Sequence, residues 1–374
     1  QVAGKLWPPG QFSATVGQEA EMESRPVEDL GFSERRLSQM AQVAERYTQA
    51  GAVSGVVVGI LRHGAIAQLS AHGLRDISNG APMTTDTLFR IYSMTKPLTT
   101  AATMLLCERA LLRLNDPLSS FFPGFAEMEV YLAGDAPPFR TTRALREITI
   151  GDLLTHTAGL AYGIGDEHPV EKEFERTVWG ALASDPELSL ADMASMVADL
   201  PLVHQPGTHW RYSIACDLLA AVIEQVTNTP FAEFLTREIL KPLGMEESWF
   251  TVPETERERL AVVYEETGSG LEPSEDPPVM SYLRPRKHAN GGGGLVSTAT
   301  DYLRFARILL EGGKTGSSHL LSPQTVRLMM TNHLPPGIAG WGRPGMGFGY
   351  GGDVVTDPEQ LVGYGRPGRY SWGG

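Results

Sequence analysis

The run Ile91-Tyr92-Ser93-Met94-Thr95-Lys96-Pro97, continued by Leu98-Thr99-Thr100-Ala101-Ala102-Thr103-Met104-Leu105-Leu106, sets a hydroxyl and an amine three residues apart at the head of a long apolar helical pattern. Residues three apart share one face of a helix, so the Ser93 hydroxyl can reach the Lys96 amine. An apolar flank and the positive end of the helix dipole both favour a neutral amine, which can take the serine proton. Serine with a base beside it is an activated nucleophile. The bland reading is an N-cap serine followed, one turn on, by a surface lysine. Only Lys96 of the six lysines has a serine three residues before it. One such match arises readily by chance, so the flanking sequence has to decide.

Upstream, residues 1–27 are mixed in composition, with Pro8-Pro9-Gly10, and read as a loose lead-in. Ser33 caps a helix whose apolar positions are Leu37, Met40, Ala44 and Tyr47. Val53 to Leu61 and Ile66 to Ala71 form a hairpin through Arg62-His63-Gly64. Leu88 to Ile91 then leads into the nucleophile helix. Downstream, helices and proline-rich loops take over from Cys107 to Leu283. The helices are Ile148 to Leu160, stopped by Gly159, then Leu190 to Leu200, Ala215 to Val226 and Glu233 to Lys241. Asp166 to Glu175 and Glu265 to Pro278 are acidic and polar and read as solvated loops. Strand and glycine signals resume after Asn290, with helices at Ala299 to Glu311 and Gln324 to Thr331 and glycine-rich hairpins from Gly337 to Gly374. This order predicts an α+β protein. Residues 1–105 and 285–374 form an α/β domain, residues 106–284 a mainly helical insert, and the active site lies between them.

A chain of 374 residues with 42% hydrophobic and 20% charged residues can bury a large core around a cleft. Its net charge of −13 argues against nucleic acid and anionic membrane surfaces as partners. Cys107 and Cys216 lie in apolar helical patterns and read as small buried hydrophobes. No Cys/His spacing resembles a zinc site, so neither a metal nor a cofactor is expected. No apolar run reaches the roughly 18 residues of a membrane span. A cytoplasmic location is expected. A chain that begins at Gln1 has been processed or trimmed, which leaves a removed leader, and a periplasmic or secreted location, open.

Two further clusters carry chemistry. Pro206-Gly207-Thr208-His209-Trp210-Arg211-Tyr212-Ser213-Ile214 is a turn followed by an extended step into a helix, a place from which Tyr212 can turn a phenol into a cleft and serve as a base. A buried tyrosine capping a backbone group is the alternative. The run from Gly363 to Gly374 ends Ser371-Trp372-Gly373-Gly374. Glycines on an edge strand let a backbone N–H approach a reacting carbonyl, or simply make a hairpin.

In order, Ser93-Met94-Thr95-Lys96, Leu153-Leu154-Thr155-His156-Thr157-Ala158-Gly159-Leu160, Pro206-Gly207 with Tyr212-Ser213, Gly291 to Thr298 and Trp372-Gly373-Gly374 resemble the class C β-lactamase-like serine hydrolases. The resemblance is nearest to the family VIII carboxylesterases and runs from about Leu37 to Gly374. It implies the β-lactamase/transpeptidase-like fold, with an antiparallel sheet built from both ends of the chain. It also implies Ser93 as the acylated nucleophile, with Lys96 and Tyr212 sharing the base role. The Ser93 N–H and the strand Trp372-Gly373-Gly374 would face the substrate carbonyl. His156 and Gly291 to Gly294 match signatures read as structural. Tyr92 and Ile214 are expected in the substrate pocket.

Two departures point away from β-lactams. Ile214 stands where β-lactamases carry an amide-binding asparagine, and Trp372 where they carry a lysine that attracts the antibiotic's carboxylate. An uncharged, aromatic-lined cleft suits neutral esters of short to medium acyl chains. In the family a further N–H follows the position of Gly374, and a last strand and helix complete the sheet. The resemblance therefore implies either a companion polypeptide following Gly374 or a longer sequence, and a partly missing oxyanion hole in the chain as written. β-Lactamase or D-amino-acid peptidase activity, acyl transfer from the same nucleophile, and a non-catalytic penicillin-binding-like module remain as alternatives. The oligomeric state is not legible.

Overall fold

The computed structural model describes residues 25–165, 167–277, 279–316, 318–361 and 365–374. The lead-in expected over residues 1–27 lies almost wholly outside them, as do Gly363 and Tyr364. Helix α1 (Glu34–Gln49) precedes strands β1 (Gly55–Arg62), β2 (Ala65–Asp76), β3 (Ala81–Pro82) and β4 (Phe89–Arg90). A 3₁₀ turn, Tyr92–Met94, opens into α2 (Thr95–Glu108). Then come β5 (Glu129–Ala133), β6 (Arg140–Arg143), α3 (Ile150–Leu154), α4 (Pro169–Phe174), α5 (Gly180–Ser184), α6 (Leu190–Ala198), α7 (Ala215–Thr227) and α8 (Phe231–Leu235). The rest is β7 (Tyr264–Thr267), β8 (Gly270–Pro273), β9 (Val296–Ser297), α9 (Ala299–Leu310), β10 (Lys314–Thr315), β11 (Ser318–His319), α10 (Pro323–Met329), β12 (Met346–Phe348), β13 (Asp353–Val355) and β14 (Tyr370–Ser371). No helix among the described residues is long and apolar enough to cross a membrane.

The first hairpin turns at His63 and Gly64, both with positive φ, at 51° and 75°. Two left-handed residues make a turn whose twist matches that of the flanking strands. Helix α1 lies against β2 and β1, and α9 against β1, where Gly59 leaves room for Leu303. The stripe expected on α1 is only half covered. Leu37 and Ala44 are buried, but Met40 and Tyr47 are 45% and 58% exposed, because the sheet meets one narrow line of the helix.

Every pair of strands is antiparallel. The sheet expected from both ends of the chain is divided among the described residues. β1–β2–β3 and β12–β13–β14 are separate ladders, and the short β4–β9 pair is what joins the two ends. The outer edge of β1 carries no strand among those residues, and β14, two residues long, pairs with β13 alone.

Helix α2 is the centre of the main core. Twelve consecutive residues, Thr95 to Leu106, are buried, so the helix is covered on all sides, chiefly by α7, α8 and the helical turn after it. Its threonines solve the polar problem this creates. Thr99 Oγ1 donates to Gly291 O at 2.7 Å, Thr103 Oγ1 to Thr99 O at 2.9 Å, and Thr95 Oγ1 accepts the Leu295 N–H at 3.2 Å. This clamps the glycine run Gly291–Gly294 along the first turn of α2.

Two acidic stretches differ from expectation. Glu265 to Pro273 belongs to the β7–β8 hairpin. In the other, α4 is a helix anchored by buried Glu171, whose carboxylate accepts the Tyr162 and Gly163 N–H groups at 2.7 and 2.5 Å and pairs with Arg211 at 2.6 Å. Partners distant in sequence turn an apparently solvated segment into a structural one. Glu171→Ala removes the acceptor of two buried N–H groups and the carboxylate that pairs with Arg211, and is expected to cost about 3 kcal/mol in urea unfolding. A loss under 1 kcal/mol would contradict this role.

Candidate active site

The positions of Ser93, Lys96 and Tyr212 follow from the packing just described. Tyr92, with φ 41°, bends the chain so that Ser93 stands in the 3₁₀ turn ahead of α2 rather than inside the helix. A left-handed residue that is not glycine is a strained one, and here it immediately precedes the serine. Tyr212 is carried by a segment that runs beside His156–Ala161. Arg211 N–H donates to His156 O at 2.8 Å and Ile214 N–H to Ala161 O at 3.1 Å.

The three side chains meet. Lys96 Nζ donates to Ser93 Oγ at 3.0 Å, and Ser93 Oγ lies 2.5 Å from Tyr212 Oη. Lys96 is fully buried, and its amine sits 4.6 Å from the Tyr212 ring centroid and 5.3 Å from that of Tyr162. Its nearest acceptor is Gly292 O, at 2.6 Å. The glycine run read as structural thus gives a carbonyl directly to the amine, a contact that no sequence signal reveals.

His156 is buried beside the site. Its Nδ1 is 3.1 Å from Ser213 Oγ, its ring lies against Tyr212, and burial with the charge of Lys96 lowers its pKa to about 3. Trp372-Gly373-Gly374 borders the same cleft as Ser93 and Tyr212. A Cβ on Gly374 would lie 2.2 Å from Ile91 O and 3.0 Å from Ser93 N, so only glycine fits against the Ser93 backbone.

The cleft, about 950 Å³, has an aromatic wall of Tyr212, Trp341 and Trp372. Tyr92 and Ile214, expected in the pocket, do not line it. Ile214 is wholly buried in the main core at the start of α7, and Tyr92 packs edge-on against Tyr282, 6.1 Å away, in a second apolar cluster. Nor is the cleft uncharged, since Arg343, Arg369 and Asp353 also line it. Burial raises the Asp353 pKa, and the two arginines oppose that rise. Arg343 and Arg369 stand on the glycine-rich loops and Asp353 begins β13, a part of the chain whose path the sequence pattern leaves undetermined. Among the described residues no group of His, Cys, Asp and Glu is arranged to hold a metal ion.

Two measurements follow. Gly374→Ala pushes the strand end off Ser93 and is expected to slow covalent labelling of Ser93 on the order of 10²-fold. An unchanged rate would remove the strand from the site. Burial also lowers the pKa of His288 to about 4. His156 and His288 are thus neutral when folded and take up protons on unfolding as pH falls below about 6.5. Burial raises Asp217 to about 6, an opposing effect that sets in below that pH. The urea midpoint is therefore expected to fall from pH 7.0 to 6.0, and a rise would contradict the burial of these rings.

The beta-lactamase family profile matches residues 40–374. Protein Rv1367c of Mycobacterium tuberculosis is 39% identical over 338 residues, 87% of this chain and 81% of that protein. Esterase EstB of Burkholderia gladioli is 31% identical over 86% of this chain and 80% of its own length. The solved structure of EstCE1, "a hydrolase with promiscuous acyltransferase activity", superposes with a TM-score of 0.75 at 29% identity, covering 93% of this chain and 88% of that one. The fold is thus β-lactamase/transpeptidase-like, and the chain belongs to the beta-lactamase family, on the side of the family VIII-type esterases within that superfamily of serine hydrolases.

Proposed function

We propose that this protein hydrolyses carboxylic esters of short to medium acyl chains through an acyl-enzyme on Ser93. The observation that carries the reading is the single chain of hydrogen bonds from Lys96 Nζ to Ser93 Oγ, at 3.0 Å, and on to Tyr212 Oη, at 2.5 Å. Ser93 Oγ attacks the ester carbonyl carbon, and its proton passes to the Lys96–Tyr212 pair. The Ser93 N–H, beside Gly374, donates to the carbonyl oxygen as it gains charge. The tetrahedral adduct collapses, the C–O bond to the alcohol breaks, and the pair returns the proton to the departing alkoxide. Water then repeats the sequence, releasing the acid and free Ser93.

Esters rather than β-lactams are supported by Trp372 in the cleft wall and by the names of EstB and EstCE1. Acyl transfer is the second reading, favoured by the EstCE1 title and by a cleft wide enough to admit an acceptor alcohol beside the acyl group. The cleft supports a small ligand, and the net charge of −13 argues against nucleic acid as a partner.

A fluorophosphonate probe is expected to add its mass to the tryptic peptide holding Ser93. Ser93→Ala is expected to abolish p-nitrophenyl butyrate hydrolysis, and Tyr212→Phe to reduce it by about 10²–10⁴-fold. A label elsewhere, or full turnover by Ser93→Ala, would remove the proposal. Product analysis with added alcohol separates hydrolysis from transfer.

A further inference from the structure

Asp217 lies in the first turn of α7, five residues after Tyr212, and is wholly buried. Its Oδ1 accepts the Gly292 N–H at 3.2 Å, while Oδ2 has no hydrogen-bond partner among the described residues. The carbonyl of the same residue, Gly292, accepts from Lys96 Nζ at 2.6 Å. A Cβ on Gly292 would lie 2.5 Å from Asp217 Oδ2 and 3.3 Å from Lys96 Nζ. Carboxylate and amine therefore flank one glycine with no room for a side chain between them.

Among the described residues Lys96 is the cation whose charge acts on this carboxylate. His288 Nε2 is 3.9 Å from Oδ1, but the ring is buried and neutral near pH 7. His156, beyond Lys96, is neutral for the same reason. Cys216 on α7 is buried, and burial pushes its thiol up to about 12. Tyr162 and Tyr212 face Lys96 with their rings. Burial drives the Asp217 carboxyl up to about 6, and the charge of Lys96 and the N–H groups of Gly292 and Gly291 oppose that rise. A buried carboxylate without a counter-charge, or a buried ammonium without one, is strongly destabilising. Each of these two groups answers the other.

We propose that Asp217 is a positioning residue for the reaction at Ser93, the buried counter-charge of Lys96, coupled to it through the peptide groups of Gly292. This rests on the reading of Ser93 as the acylated nucleophile. The carboxylate favours the protonated amine, so it sets the pH above which the Lys96–Tyr212 pair can accept the serine proton. Neutralising Asp217 makes that proton easier to lose, and the acid limb of Ser93 acylation moves to lower pH.

The test follows fluorophosphonate labelling of Ser93 by mass spectrometry between pH 5 and 10. In Asp217→Asn, and in Asp217→Ser, which leaves room for water, the acid limb is expected about one pH unit lower. Asp217→Glu keeps the charge and is expected to keep the limb, whatever its maximal rate. A limb that stays or rises in the neutral variants, with the rate scaled equally at all pH values, overturns the proposal. A double-mutant cycle in urea unfolding supplies a readout independent of activity. Asp217→Asn and Lys96→Met each destabilise, and the double variant is expected to unfold at least about fivefold less readily than their sum requires. Strict additivity overturns the pairing. If the neutral variants do not fold alone, recovery of the fold in the double variant supports it, and failure to recover counts against it. Absence of label on wild-type Ser93 would instead defeat the esterase reading and leave the cycle to judge Asp217.

Discussion

A lysine amine with no access to solvent is the constraint on which this structure turns. Burying Lys96 is tolerable only because polar groups converge on its Nζ. Gly292 O and Ser93 Oγ accept from it, the faces of Tyr212 and Tyr162 lie over it, and the Asp217 carboxylate stands behind Gly292. Each of those groups is delivered by a different part of the chain. Threonines on α2 hold the glycine run, Glu171 ties Arg211 to the Tyr162 backbone, and the His156–Ala161 segment sets the path of Tyr212. The core around α2 is therefore also the scaffold of the site.

The same environment explains why a serine hydroxyl is poised here. Lys96 points one N–H at Gly292 O and one at Ser93 Oγ, which fixes the amine and leaves Ser93 Oγ within 2.5 Å of Tyr212 Oη, a contact along which a proton can pass in either direction. In the proposed reaction the base is this pair, coupled through the serine oxygen. Gly374 pressed against Ser93 N keeps the opposite side of the serine narrow, while Arg343 and Arg369 give the outer cleft a charge.

Local chemistry explains what was legible in the sequence. The Arg62-His63-Gly64 turn and the unbroken apolar run after Lys96 depend on neighbouring residues alone, and both are present as expected. Ser93 and Lys96 share a spacing, so they could be paired on paper. Tyr212, 119 residues from Ser93, could be joined to them only through the resemblance to a family. Gly292 lies in a family signature that does not reveal its contact with Lys96 across 196 residues, and Asp217 carries no mark at all, since its place behind Gly292 appears only in the folded chain. Glu171 misled for a related reason, because an acidic run looks solvated until the arginine that meets it is known. Ile214 misled because its position beside Tyr212 in sequence hides that the start of α7 turns it into the core.

The central claim is that Ser93 becomes acylated with Lys96 and Tyr212 moving its proton. Acid quenching of the enzyme in the first turnovers of p-nitrophenyl butyrate, followed by peptide mass analysis, tests it most directly. The account predicts a butyryl group on Ser93 in the wild type and slower formation of that adduct in Tyr212→Phe. A butyryl group on any other residue, or an adduct on Ser93 that forms at the wild-type rate without Tyr212 Oη, would contradict it.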